Sequence, residues 1–362
     1  MHVAAVVVGL FLILGVLLDA FETIVLPRRV SRRVRLASMF LRALWAAWSG
    51  SERRRRDGNL NENYLGFYGP LSLLLLIGLW AAGLVLGFGL LQWGLRSPVA
   101  PGGVAGSLTQ CLYLSGTSFF TLGLGDVAPL SASGRTVIVL ESGAGFIFLA
   151  LVIGYLPVLY QSFSRREVRI SMLDEWAGSP PSAVELLRRA ATHGSVDSID
   201  RLLADWEHGS ADLLESHLSY PILAYFRSQH DNESWVSALG TVLDLSALVL
   251  AGVEGPDPWQ ARRTFAMCRH AAVDLAQVTG ARPQPEVEAM SPEDLSGLAS
   301  LLSAAGVGFD ERLGDRFPKY REMYHPYTRA LSARLAMPLP PLLPVEGARD
   351  NWKTSAWGAP LA

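Results

Sequence analysis

The sequence predicts an all-α membrane protein with a soluble α-helical domain on its C-terminal side. Three observations lead there. Half of the 362 residues are hydrophobic and only 18% are charged, the balance of a chain that spends much of its length out of water. The apolar residues gather in three runs, all before position 165, each long enough to cross ~30 Å of hydrocarbon at ~1.5 Å per residue. Beyond position 180 these runs give way to a mixed composition in which apolar residues recur with helical period.

The first run, 3–26, reads VAAVVVGLFLILGVLLDAFETIVL and is ended by Pro27. No basic residue precedes its apolar region and no small-x-small site closes it, so it reads as a retained helix rather than a cleaved leader. Asp19 and Glu22, near its far end, are expected to reach interfacial arginines. The second run, 67–94, carries no charge and spaces Gly83 and Gly87 four apart, which lets another helix approach closely. In it Trp80 is expected to face lipid and Trp93 an interface. The third run, 134–160, is followed at once by Arg165, Arg166 and Arg169.

Charge sets the direction of these spans. The loop 27–57 holds ten arginines (Arg28, Arg29, Arg32, Arg33, Arg35, Arg42, Arg53, Arg54, Arg55 and Arg56) against Glu52 and Asp57, a balance of +8. Residues 165–362 hold 19 basic against 26 acidic residues, a balance of −7. Arginine excess marks the cytoplasmic side, and one topology satisfies both basic segments. The N-terminus is outside, the three spans run in, out and in, and the C-terminal domain is cytoplasmic, in a multi-pass protein of the cell membrane. Within the basic loop, 34–48 is amphipathic with Trp45 and Trp48, which suits a helix on the inner leaflet. The alternative is a solvated basic linker. Anionic lipid is the partner that the segment 28–56 suggests; a nucleic acid is not, because apolar spans flank the arginines on both sides.

Between the second and third spans lies SLTQCLYLSGTSFF, 107–120, which reads as a helix too short to cross, followed by TLGLGD at 121–126. Irregular backbone at membrane depth is tolerated only where protein or a water-filled path surrounds it. Glycine at every second position lets successive carbonyls turn one way, because glycine takes positive φ without a Cβ penalty. Rings of such carbonyls from symmetry-related copies can replace the hydration shell of K⁺, and four copies complete the rings. A nucleotide loop would instead need a strand before it and a soluble helix after it.

At these residues, CLYLSGTSFFTLGLGDVAP resembles the pore helix and selectivity filter of potassium channels, whose filter usually reads T-V-G-Y-G-D. The resemblance covers about residues 65–162. It implies a pore domain of outer helix, pore helix, filter and inner helix, preceded here by an extra N-terminal transmembrane helix, and assembled as a homotetramer. It implies K⁺ binding by Thr121, Leu122, Gly123, Leu124 and Gly125, with Asp126 at the outer mouth. Tyr113 falls where many bacterial members carry a tryptophan that bonds that acid. Gly134 and Arg135 match a Gly-Arg pair that opens the inner helix, and Gly145 falls at the family's hinge glycine. The chain departs from the family pattern at Leu122, which stands for valine, and at Leu124, which stands for tyrosine and lacks a hydroxyl to brace the filter. Thr117 sits where some relatives have glutamate.

Glu141, two turns into the third span, is costly there unless paired or solvated. It is expected to brace the pore helix through Thr117 or Ser118, or else to be a structural acid without influence on conduction. Gly145, Gly154 and Pro157 give the inner helix places to bend, as a gating hinge, the competing reading being close packing and a helix end. Arg29, Arg32 and Arg35 recur every third residue but lie in a polar loop, so no intrinsic voltage sensing is expected.

In the distal part Ile199, Leu202, Leu203 and Trp206 share a helical face, as do Phe265, Cys268, Ala272 and Leu275. Ser291 with Pro292 marks a helix start. The apolar run 235–253 reads as a buried soluble helix, because Asp244 at its centre would cost ~2.5–3.5 kcal/mol in a bilayer. Cys268 and His270 alone make a poor metal site. The expected division is therefore 1–57, the first helix and basic segment; 58–164, the pore domain; 165–336, a helical domain; and 337–362, an extended or disordered tail. The expected function is passive K⁺ conduction gated by the inner helix and distal domain. No enzyme and no cofactor beyond K⁺ ions are expected. The alternatives are a weakly selective cation channel and a membrane-tethered signalling or binding protein whose pore unit does not conduct.

Overall fold

A computed structural model of the chain describes residues 1–26, 36–53, 62–194, 197–230, 232–283, 290–345, 347–348 and 350–353. Most of the arginine band expected to meet anionic lipid, and the end of the tail from 354, lie outside the described residues. The described residues are mainly helical, with three helices long and apolar enough to cross a membrane, within His2–Val25, Glu62–Gly94 and Ala132–Ala177. It divides into two units, one of Met1–Gly50 with Tyr68–Tyr160 and one of Ser51–Phe67 with Gln161–Ala362.

The first unit is built on α1 (His2–Ala20), α2 (Leu36–Arg53) and α4 (Tyr68–Gly94), with α3 (Glu62–Gly66) preceding α4 and grouped with the second unit. α1 packs against α4 through glycines: a Cβ on Gly9 would lie 2.6 Å from the Gly87 carbonyl oxygen, and one on Gly87 2.8 Å from Ile13 Cγ1. The close approach expected of α4 is thus with α1, where small residues let the backbones meet.

One sequence expectation changes here. Trp80 is 3% exposed rather than facing lipid, and its Nε1 donates to Asp19 Oδ2 at 2.9 Å. The same oxygen accepts from the amide of Ala37 at 3.0 Å, while the arginines at 28–35 that Asp19 and Glu22 were expected to reach lie outside the described residues. The physical reason is local. The first amides of a helix lack intrahelical acceptors, and a buried carboxylate oxygen supplies one to the start of α2. Ala37, Leu41 and Trp45, four residues apart, form the buried face of α2, and Tyr68 of α4 donates to the Leu41 carbonyl at 2.5 Å.

After α4 come β1 (Pro98–Ala100) and β2 (Val104–Ala105), then α5 (Leu108–Phe119), β3 (Ala128–Pro129) and α6 (Ala132–Ala177). The strands form one antiparallel sheet in the order β2-β1-β3, with Val99 opposite Pro129. It ties the chain just after residue 126 to the chain just after α4. α6 does not end near position 160; it continues through the arginines to Ala177.

The second unit holds α7 (Ala183–Thr192), α8 (Ser198–Ser219), α9 (Trp235–Ala251), α10 (Pro258–Thr279), α11 (Pro292–Ala304), α12 (Leu313–Glu322) and α13 (His325–Leu335). α9 is its centre, buried along almost all its length with α7, α8, α10, α12 and α13 around it. Asp244 in the middle of α9 is 4% exposed and meets Arg321 Nε at 3.2 Å and the Tyr324 hydroxyl. That pairing makes a buried acid affordable in a soluble core. Ser291 caps α11 by accepting from the Asp294 amide at 3.0 Å, ahead of Pro292.

The described part of the tail is extended and docked rather than loose. Ser182 donates to the Leu342 carbonyl at 2.9 Å, and Arg189 pairs with Asp350 at 2.7 Å. Among the described residues no group of three or more His, Cys, Asp or Glu is placed to hold a metal ion. His270 instead faces Asp274 at 3.5 Å.

Candidate functional site

α5 has twelve residues, ~18 Å at ~1.5 Å per residue and so about half a bilayer core. Its start is fixed by a reciprocal cap: Ser107 Oγ accepts from the Gln110 amide, and Gln110 Oε1 accepts from the Ser107 amide at 2.9 Å. Its end is set by Thr121, where φ turns to +57°. The Thr121 amide then donates to the Ser118 carbonyl at 3.1 Å, and the Leu122 amide to the Thr117 carbonyl at 2.8 Å. The chain emerges from the negative end of the helix dipole carrying the hexapeptide.

Along that hexapeptide Thr121, Gly123 and Gly125 have φ of +57°, +56° and +77°, while Leu122 and Leu124 between them do not enter the positive region. Such alternation turns successive carbonyls toward one side instead of opposite sides, as they would lie in a strand. All six residues, 121–126, are exposed in the single chain. Tyr113 of α5 donates to Asp126 Oδ2 at 2.9 Å, joining the helix to the residue that closes the hexapeptide.

α6 supports α5 from behind. A Cβ on Gly145 would fall 2.1 Å from the Phe119 carbonyl oxygen, so only glycine lets α6 lie against the end of α5. Ser142 donates to the Ser118 carbonyl at 3.3 Å. Gly154 has open space around its missing Cβ, and α6 stays helical through Pro157. Of the three residues proposed to bend α6, only Gly145 makes such a contact.

Glu141 is fully buried, and its partner is Ser115, not Thr117 or Ser118. Those two hydroxyls donate back to the Leu114 carbonyl within their own helix, at 3.0 Å and 2.7 Å, the local option open to Ser and Thr in any helix. Ser115 Oγ also lies 2.7 Å from the Val85 carbonyl of α4. A hydroxyl has one hydrogen, and both neighbours are acceptors when the carboxyl is ionised. Both contacts are hydrogen bonds together only when Glu141 carries a proton and donates to Ser115, which donates to Val85. This pin joins α4, α5 and α6.

Two members of the site were not anticipated from the sequence. Ser115 is one. The other is Gln92, 0% exposed near the end of α4, whose Nε2 donates to the Gly134 carbonyl at 2.9 Å. An amide side chain among apolar neighbours was the available signal, since burial there requires a partner. Arg135 follows, its Nε donating to the Pro129 carbonyl at 3.2 Å.

Residues 76–161 match the Ion_trans_2 family model, described as "Ion channel". The chain is also 23% identical over 224 residues to the protein of Bacillus subtilis (strain 168) named "Uncharacterized membrane protein YdjJ". The match covers 59% of this chain and 62% of that protein, so the chain spans less than two thirds of its relative's length. No solved structure matches the chain.

Proposed function

We propose, from the premise that residues 76–161 form an ion-channel pore domain, that the protein is a homotetrameric channel for passive K⁺ movement. The observation that carries the reading is the backbone alternation at Thr121, Gly123 and Gly125 at the end of a half-span helix. Carbonyls of Thr121, Leu122, Gly123 and Leu124, with the Thr121 hydroxyl, would take the place of water around the ion. Exposed backbone at membrane depth in one chain asks for company, and three further copies around an axis provide it. Asp126, held by Tyr113, supports the outer mouth, while Glu141 and Thr117 support the helix behind the filter. Bending of α6 near Gly145, Gly154 and Pro157, driven from the distal unit, opens and closes the path.

In this reading the protein sits in the cell membrane with its N-terminus outside, the distal unit in the cytoplasm and anionic lipid near the segment 28–56. A second reading, a weakly selective cation channel, has one observation in its favour: Leu124 offers no hydroxyl to hold the filter width. Potassium flux from proteoliposomes tests both. The intact protein is expected to carry K⁺ well above Na⁺, and Gly123→Ala, which places a Cβ at φ +56° in every subunit, to abolish the flux. Equal K⁺ and Na⁺ flux would support the second reading. No flux from the intact protein would point to a tethered binding protein instead.

A further inference from the structure

The distal stretch of α6 carries Arg166, an arginine 5% exposed and with no part in the pore. A guanidinium has five N–H donors and no acceptor, so burying one calls for partners on every side. Arg166 makes four hydrogen bonds and one ion-pair contact. Nε donates to Glu167 Oε1 at 3.0 Å, and Nη1 to the Leu223 carbonyl at 3.0 Å and to His217 Nε2 at 3.3 Å. Nη2 donates to the Phe226 carbonyl at 2.9 Å and meets Glu167 Oε1 at 3.0 Å. Glu167 in turn accepts from the Gln229 amide at 3.1 Å and from Ser228 Oγ at 3.3 Å. Two adjacent residues of α6 thereby hold the end of α8 and the segment 223–229, all inside the second unit.

The imidazole in this set has a fixed tautomer. Arg166 Nη1 can only donate, so His217 Nε2 accepts and the ring proton sits on Nδ1, 2.8 Å from the Leu213 carbonyl. A second proton, on Nε2, would set N–H against N–H and cation against cation. Around the ring, the charged group facing it is Arg166 of α6, itself paired with Glu167. Trp235 of α9 presents its indole at 5.3 Å, and α8 itself presents Ser216 at 3.2 Å. Burial, and then the Arg166 cation, hold the imidazole well below its ordinary range.

We propose that Arg166 is a positioning residue for gating: through it the distal unit grips the end of α6, and proton uptake by His217 loosens that grip. α6 is one helix from Ala132 to Ala177, so a change of grip at 166 acts on the same helix that carries Gly145, Gly154 and Pro157. This rests on the channel reading above.

The test uses the full chain in proteoliposomes, with K⁺ flux followed from about pH 7.5 to about pH 4 on both sides, because His217 takes its proton only well below the ordinary imidazole range. Wild type is expected to change its flux several-fold toward acid. His217→Gln, whose amide oxygen accepts from Arg166 and takes no proton, is expected to stay flat. An equal response in both overturns the switch. Hydrogen exchange at neutral pH reads the grip without conduction: Arg166→Lys, which loses the fork, should speed amide exchange over 223–229 by about tenfold or more, and Glu167→Gln in the same direction. Unchanged exchange in both variants overturns the grip. Flux absent from every protein overturns the channel reading and the gating role with it, while the exchange result still decides the grip.

Discussion

Glu141 in the membrane unit and Asp244 in the distal unit are both buried acids inside apolar helices, and they are kept by different chemistry. Glu141 meets a serine hydroxyl, and Asp19 of the same unit meets an indole N–H and a backbone amide. Asp244 meets a guanidinium and a phenol. Each described partner of Glu141 and Asp19 is neutral and brings no second charge to bury. Where the core is one layer from solvent, an arginine can reach inward, and Arg321 keeps 17% of its side chain exposed. One consequence is that the distal acid should be the less forgiving of the two, because removing it strands a cation.

That comparison can be broken in several places. The largest expected effect is at Asp244→Leu, which leaves Arg321 and Tyr324 unanswered and should cost about 3–5 kcal/mol in thermal unfolding of the distal unit. Adding Arg321→Leu should recover part of the loss; a double variant as unstable as the single would show that the pair is not the cause. Next comes Asp19→Leu, which orphans the Trp80 indole N–H and the Ala37 amide. It should cost about 1–3 kcal/mol, read by unfolding in detergent.

Acid provides a third test, confined to the distal unit. Burial, then the Arg321 and Arg329 cations, push the His325 imidazole down to about 4. The unfolded chain takes up its proton near pH 6.5, so the native state binds fewer protons between these values. Stability is therefore complete above about pH 6.5 and is lost as pH falls toward 4. His217 acts in the same direction. With solvent screening of the partly exposed His325, the loss from it is on the order of 1–2 kcal/mol, and His325→Gln should remove it. The smallest effect is expected at Glu141→Gln, which keeps a donor for Ser115 and should cost under about 1 kcal/mol. A cost equal to that of Asp244→Leu would mean that Glu141 is held as a charge, and the contrast between the units would fall.

Much of this was legible in the sequence, for reasons that differ by element. The spans showed because ~20 apolar residues in a row have few other uses, and α5 showed because its length fits no crossing helix. The alternation of glycines announced positive φ at 123 and 125, yet not at Thr121, whose side chain gives no such signal. The sheet of β1, β2 and β3 was invisible, since strands of two or three residues have no period to read. α6 was cut short because its composition turns from apolar to charged near 160 while its backbone stays helical. Asp19 with Trp80, and Glu141 with Ser115, are pairings 61 and 26 residues apart; the sequence offers each acid several donors, and only packing chooses.

The central claim is that main-chain oxygens of residues 121–124 from four chains face one axis and hold dehydrated K⁺. Electron cryomicroscopy of the protein in lipid nanodiscs with K⁺ tests it directly. The account predicts four chains around the axis, with ion density in line between the carbonyls of Thr121, Leu122, Gly123 and Leu124. A single chain per particle, or carbonyls turned away from the axis with no ion between them, would contradict it.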